Sequence, residues 1–176
     1  MSTLDNLQTP SFDFERIITK IHLGKPDIDL MSAKQSRKAR RYIDKRKNIF
    51  KTELKGFKLA WLNSPHNIYS KVIPYIITQY HKHEFNIIIL IPTNNARTSY
   101  WQSLIEPNNI FWNNKGFCYW YPYDKPIKFL KNGKHIMNKN GKPEHAHNAY
   151  NVLVLLKKIN VKRFKERVRS WYDGKA

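Results

Sequence analysis

Cysteine is all but missing from this chain. Cys118 is the only one in 176 residues, so a disulfide framework and a cysteine-ligated zinc centre are both excluded. Glycine is scarce as well. The six glycines stand at positions 24, 56, 116, 133, 141 and 174, and none builds a Gly-x-Gly turn or a phosphate-binding loop. The longest purely apolar runs, Ile87 to Ile91 among them, fall far short of the ~20 residues that cross a bilayer. Met1 to Phe14 is polar and acidic, unlike a secretory leader with its basic start and apolar stretch. Repeats and Gly/Ser/Pro-rich linkers are missing too. The expectation is a soluble, intracellular protein with one main domain.

Acids are the other shortage, 13 against 32 Lys and Arg, for a net charge of +19. With 41% hydrophobic and 14% aromatic residues the chain has enough apolar matter to fold. The charge excess repels itself in the compact state, and a polyanion relieves it. Charge alone admits nucleic acid or an anionic membrane surface; nucleic acid is the preferred reading. Two stretches carry most of it. Lys34 to Lys55 holds ten cations against Asp44 and Glu53, and Lys157 to Arg169 holds seven against Glu166. From the first, Arg37, Lys38, Arg40 and Arg41 are candidate phosphate contacts; from the second, Lys162, Arg163 and Arg167 are. Val161, Phe164, Val168 and Trp171 recur at helical spacing, so residues 158–176 are expected as a basic helix packed on, or extending from, a domain of residues 1–157. A solvated charged helix is the plainer alternative.

Along the chain, Asp27 to Met31 reads as a short strand, and a helix is expected from Ser32 or Ala33 to about Asn48. Lys58 to Leu62 reads as a buried strand ending in the loop 63–67. Apolar residues at 68, 72, 73, 76, 77 and 80 predict a helix from Ile68 to His83, with a bend at Pro74. Asn86 to Ile91 fits a central parallel strand covered on both faces. A short helix over 98–105 and aromatic-rich strands within 109–123 follow. Asn132-Gly133 and Asn140-Gly141 carry the hairpin dipeptide, and Val152 to Leu156 closes the sheet. The fold class is α/β, a mostly parallel sheet with helices on both faces and antiparallel hairpin strands toward the C-terminus.

Ligands of such sheets gather at the carboxyl ends of the strands. Three polar loops fall there: after Asp29, at Asn63, and over 92–97, where Arg97 is a candidate phosphate contact. His81-Lys-His83 and His145-Ala-His147 have strand-face metal spacing, but they lack carboxylates or cysteines to complete a site, so no metal is expected. The aromatics at 111–112 and 117–123 could stack on bases, though core packing is the commoner use.

The loop Leu62-Asn-Ser-Pro-His-Asn67 carries the most information. Together with Leu59-Ala-Trp-Leu62 it resembles the strand and Asn-Pro-Pro-Tyr loop of the phage-type, Dam-like DNA adenine-N6 methyltransferases. Further pieces follow in the family's order. Thr9-Pro10 is similar to its early Thr-Pro, and Asp27-Ile-Asp-Leu-Met-Ser-Ala33 to its Asp-rich strand end. Ile89 to Trp101 resembles its apolar strand with threonine-rich turn, Lys115 to Trp120 its Gly-Arg-x-x-Phe strand, and His147 to Val154 its closing strand.

The resemblance implies a Rossmann-like methyltransferase that uses S-adenosylmethionine on double-stranded DNA. Thr9, Pro10, Asp27 and Asp29 would then serve the cofactor, and Asn63, Ser64, Pro65 and His66 the chemistry. An exocyclic amine is a poor nucleophile because its lone pair is delocalised into the ring. An Asn side chain and a backbone carbonyl that accept its two hydrogens return that density, and a flat side chain stacks on the flipped base. Two residues depart from the family pattern: Ser64 replaces a proline and His66 the stacking tyrosine. The same amine chemistry serves cytosine N4. The alternative reading is a non-catalytic, strongly basic nucleic-acid-binding protein that keeps a degenerate methyltransferase fold.

Overall fold

The apolar run 87–91 lies at the centre of a sheet. The computed structural model describes residues 8–21, 23–44, 46–92, 117–122, 127–142 and 150–156. In chain order these form α1 (Ser11–Ile21), β1 (Ile28–Asp29), β2 (Arg41–Tyr42), β3 (Leu59–Leu62), α2 (Tyr69–His83), β4 (Asn86–Pro92), β5 (Phe117–Pro122), β6 (Leu130–Lys131), β7 (Lys134–His135) and β8 (Tyr150–Leu156). Among the described residues six strands make one sheet in the order β2-β1-β3-β4-β8-β5. The first four are parallel, and β8 runs antiparallel between β4 and β5. Ala60 pairs with Ile87 and Leu62 with Ile89. Ile87 to Ile91 are all fully buried, as β-branched strand residues covered on both faces should be. Each such side chain adds ~1.5–3 kcal/mol of burial.

Alternation along β3 assigns the two faces. Ala60 and Leu62 share a core cluster with Val72, Ile73 and Ile76 of α2. Trp61 points the other way and meets Phe14 of α1 edge-on, ring centres 5.0 Å apart. The expected helices on both faces are present. α2 matches the predicted segment closely. Its Pro74 stands on the exposed side, where the missing N–H costs no core contact, and Thr78 Oγ1 donates to the Pro74 carbonyl at 3.0 Å. The helix ends at Glu84, whose left-handed backbone returns its N–H to the Tyr80 carbonyl at 2.8 Å.

Two elements differ from expectation. α1 falls partly in a segment read only as polar, yet Phe14, Ile17, Ile18 and Ile21 form a buried stripe at helical spacing. The helix expected from 32 or 33 to 48 does not form; that stretch holds turns and the edge strand β2. Its helix-forming residues have no apolar stripe to bury, and short helices without one are unstable in water. The sheet instead claims the backbone: Ile43 N–H donates to the Asp29 carbonyl at 2.9 Å, and Ser32 N–H to the Ile43 carbonyl at 3.1 Å.

β6 and β7 form the hairpin predicted at Asn132-Gly133, with positive φ of 51° and 76° at the two turn residues, as the favoured two-residue turn requires. Asn140-Gly141 makes a turn closed by Asn138 N–H on the Lys142 carbonyl at 2.8 Å, with no named strand on either side. The predicted helix over 98–105, Arg97, the 111–112 aromatics, His145, His147 and the basic segment 158–176 lie outside the described residues.

Candidate active site

The chain leaves β1 for β2 on one side, then returns to place β3 on the other. This reversal makes the gap between β1 and β3 a topological switch point, and open α/β sheets hold ligands in the crevice just beyond such a point, at the carboxyl ends. Asp29 ends β1, and Asn63 follows the last residue of β3. Asp29 is level with Trp61, so the two side chains leave adjacent strands two residues apart in height.

Asp29 is 2% exposed. Its Oδ2 accepts the Lys38 N–H at 2.8 Å and its Oδ1 the Met31 N–H at 3.3 Å. Burial pushes its carboxyl up to about 6, against those two N–H groups and the Lys38 charge, which favour the ionised form. The loop 30–38 therefore folds over the carboxylate without any glycine. Lys38 completes the wall: its Nζ lies 5.6 Å from the centre of the Phe14 ring. Burial pushes that ammonium down, with Asp29 and Glu15 opposing.

Ser32 Oγ is buried and closes no hydrogen bond of full geometry among the described residues, although its nearness helps hold the Asp29 charge. A buried hydroxyl beside a carboxylate can serve that carboxylate and still take a further partner. Beside a carboxylate at a strand end, it suits a ligand bearing both hydroxyl and ammonium groups.

Asn63 is half-buried and donates from Nδ2 to Thr9 Oγ1 at 2.8 Å. Thr9 itself is 3% exposed, and Pro10 after it accepts the Phe14 N–H at 3.0 Å to start α1. Ser64 is buried, and its hydroxyl donates to the Pro65 carbonyl at 3.2 Å. Pro65, extended at ψ 141°, leads into a single 3-10 turn, His66–Ile68, that runs directly into α2. Thr9, Pro10, Asn63, Ser64, Pro65 and the backbone of His66 thus share one end of the sheet with Asp29.

The remaining candidates divide. Lys38, and Arg37 with its guanidinium 5.4 Å from the Tyr42 ring centre, belong to the loop over Asp29. Asp27, Arg40 and Arg41 stand at the opposite, amino ends. There Asp27 Oδ2 accepts the Lys58 and Leu59 N–H groups at 2.7 and 3.0 Å, stitching β1 to β3. With Pro26, Gly56 and Lys58, Asp27, Arg40 and Arg41 line an open pocket of about 400 Å³. Arg97, Lys162, Arg163 and Arg167 are outside the described residues. Sequence reasoning missed the Thr9–Asn63 contact, which joins positions 54 residues apart and leaves no periodic signal. It missed Ser32, which read only as the possible opening of a helix.

A family model described as DNA N-6-adenine-methyltransferase (Dam) matches residues 1–170. The chain belongs to this family. No curated protein matches it. The activity of the Dam family is methyl transfer to the N6 amine of adenine in DNA, which makes DNA the substrate of this chain. Methyltransferases of this family typically depend on S-adenosylmethionine. The Asp29–Ser32 corner fits that molecule on donor set alone, an anion and a spare hydroxyl facing a cationic, hydroxyl-rich ligand. Among the described residues no helix is long and apolar enough to cross a membrane.

Proposed function

We propose that this Dam-family chain methylates adenine at the crevice between β1 and β3, with Asn63 as the principal amine acceptor. The observation that carries the proposal is the placement of Asp29 and Asn63 at the ends of the two strands flanking the switch point. Asn63 Oδ1 and the Ser64 carbonyl accept hydrogen bonds from the two amine hydrogens and raise lone-pair density on N6; the proton that N6 loses on gaining the methyl group passes to water. Pro65 stiffens the turn, and the His66 imidazole packs on the base, which has to leave the duplex to reach the site. S-adenosylmethionine, when bound, supplies an electrophilic methyl group on a sulfonium. Asp29 and Ser32 hold its polar end, and Thr9 with Pro10 forms the neighbouring wall. Asp27, pinned between strands, shapes β1 from the other end.

The partner is double-stranded DNA, drawn in by the net charge of +19. Arg37 and Lys38 contact phosphates beside the mouth. Arg40, Arg41, Arg97, Lys162, Arg163 and Arg167 extend the contact without reading bases. A DNA substrate places the work inside the cell.

Titration calorimetry with S-adenosylmethionine and transfer of a labelled methyl group to DNA test this together. The expected result is cofactor heat, labelled adenine, and loss of labelling in Asn63→Ala with DNA affinity nearly intact. Strong, salt-sensitive DNA binding with no cofactor heat would make the chain a fold-only binder and overturn the assignment of the site.

A further inference from the structure

We propose that Phe12 is the wedge that enters the base stack as the target adenine leaves it, an inference that rests on the crevice between β1 and β3 being the methylation site. Phe12 is 72% exposed, the most exposed large hydrophobic side chain among the described residues. Exposure alone says little, because single apolar side chains on a surface are common. Its place in the fold says more. α1 buries Phe14, Ile17, Ile18 and Ile21, and Phe12 lies outside that stripe, so folding makes no use of its ring.

The direction of α1 brings Phe12 to the mouth. Just before the helix, Thr9 Oγ1 and Asn63 Nδ2 are hydrogen-bonded at 2.8 Å. One turn further on, Phe14 meets Trp61, which stands two residues before Asn63 in the chain. The helix therefore runs against β3 and begins at the carboxyl ends of the strands. Side chains of a helix lean toward its N-terminus, which tilts the Phe12 ring toward the rim of the crevice. Three residues separate it from Thr9, so even a fully extended chain keeps their Cα atoms within ~11 Å. The Phe14 N–H on the Pro10 carbonyl at 3.0 Å closes the first turn and fixes the backbone that carries Phe12.

The surroundings suit a duplex. Lys38 Nζ lies 5.6 Å from the centre of the Phe14 ring, and Arg37 stands in the same loop, so cations flank Phe12 for the phosphates on either side of a parted step. Of the acids of α1, Asp13 is turned inward, 9% exposed, and Glu15 is paired with Lys25 Nζ at 3.2 Å. An apolar side chain pushed between base steps is how many proteins kink or part a duplex. An adenine drawn toward Asn63 leaves a gap in the stack and an unpaired partner base. A phenyl ring fills the gap and stacks on that base, whatever its identity, because every base has a flat face.

The experiment uses the full chain and two duplexes of one sequence holding an adenine that it methylates, one intact and one with an abasic site opposite that adenine. Single-turnover methylation, calorimetric affinity for S-adenosylmethionine, the salt slope of DNA affinity and sedimentation of the free protein are measured in wild type, Phe12→Ala, Phe12→Trp, Asn63→Ala and Met137→Ala. Met137 serves as a second exposed apolar side chain, 54% exposed. Phe12→Ala is expected to slow methylation of the intact duplex about tenfold, the scale of one lost base–aromatic stack, with cofactor affinity and salt slope unchanged. On the abasic duplex, whose adenine is already unpaired, most of the rate should return. Phe12→Trp and Met137→Ala should keep the wild-type rate. Equal losses of Phe12→Ala on both duplexes would make Phe12 part of the site's wall. Weakened cofactor affinity at an intact saturated rate would make it a cofactor contact, and altered sedimentation would make its partner a second copy of the chain. Each overturns the wedge. Asn63→Ala should stay dead on both duplexes. If it does while Phe12→Ala matches wild type, only the wedge falls. If Asn63→Ala methylates like wild type, or wild type labels no duplex, the site assignment fails and the wedge falls with it.

Discussion

Asp29 and Lys38 are joined through the backbone: the Lys38 amide N–H donates to Asp29 Oδ2 at 2.8 Å across nine residues of chain. A carboxylate at the end of a two-residue strand thus organises the loop that a glycine-rich turn would otherwise shape. Because the loop is folded onto it, the carboxyl is buried, and because it is buried it gives up its proton late.

That has a pH consequence of definite sign. Burial raises the Asp29 carboxyl from its ordinary 3.8 to about 6. Between those values the folded state keeps a proton that the unfolded chain has lost, so its stabilising share is complete below 3.8 and gone once the pH has risen through about 6. Thermal melts across this window should show wild-type stability falling relative to Asp29→Asn, whatever the variant does to the absolute midpoint. Parallel curves would refute it. If Asp29 holds S-adenosylmethionine as proposed, affinity for that cofactor should strengthen over the same rise in wild type and stay flat in Asp29→Asn.

Trp61 is 1% exposed and meets Phe14 edge-on, which ties α1, and through it Thr9 and Pro10, to the strand that ends just before Asn63. Trp61→Ala should cost ~3–5 kcal/mol in denaturant unfolding, the usual price of emptying so large a site. Methylation should fail at temperatures where wild type still works. A loss below ~1 kcal/mol would mean that α1 is not fastened through this ring.

Much of this was legible beforehand, for a physical reason: burial periodicity is written locally. Ile87 to Ile91 announced the central strand, and the spacing of residues 68 to 80 announced α2. Asn63 to His66 stood out through its resemblance to the family's Asn-Pro-Pro-Tyr loop. Where a segment's structure is dictated from a distance, local pattern misleads. Residues 33–48 have helix-forming composition, but the Asp29 carboxylate and the edge of β1 take their backbone groups. Thr9 and Asn63 meet only because α1 and β3 pack together, and the hydrogen bond between them is invisible until the fold is known. Asp27 and Asp29 look equivalent two residues apart, yet their carboxylates serve opposite ends of β1.

Glu53 shows the reverse titration. Lys82 and Lys55 reach its carboxylate at 2.7 and 3.1 Å, and their hydrogen bonds and charge hold it at about 2, below the usual 4.5. Its stabilising share is present above 4.5 and is lost as pH falls toward 2. All three side chains are solvent-exposed, so salt should screen the effect. Glu53→Gln is expected to lower the melting midpoint at neutral pH and low ionic strength, with the difference shrinking as salt is added. A difference indifferent to salt would assign the effect to packing.

The basic residues around the sheet divide by height, and DNA length should reveal it. Arg37 belongs to the loop over Asp29, whereas Arg40 and Arg41 stand at the amino ends beside Lys58, separated from Asn63 by ~16 Å of strand. Arg41 is preorganised there, its guanidinium 4.2 Å above the centre of the Phe57 ring and its Nη1 donating to the Gly56 carbonyl at 3.4 Å. A duplex just long enough to fill the mouth reaches Arg37 and leaves the arginine pair untouched; a longer one wraps onto both. Each phosphate contact removed should lower the slope of log affinity against log salt by about one. Arg37→Ala is therefore expected to flatten the slope for short and long duplexes alike, and the Arg40→Ala/Arg41→Ala double variant only for long ones, by about two. Equal sensitivity of the short duplex to both changes would show that the amino-end arginines lie on the same DNA track as the mouth.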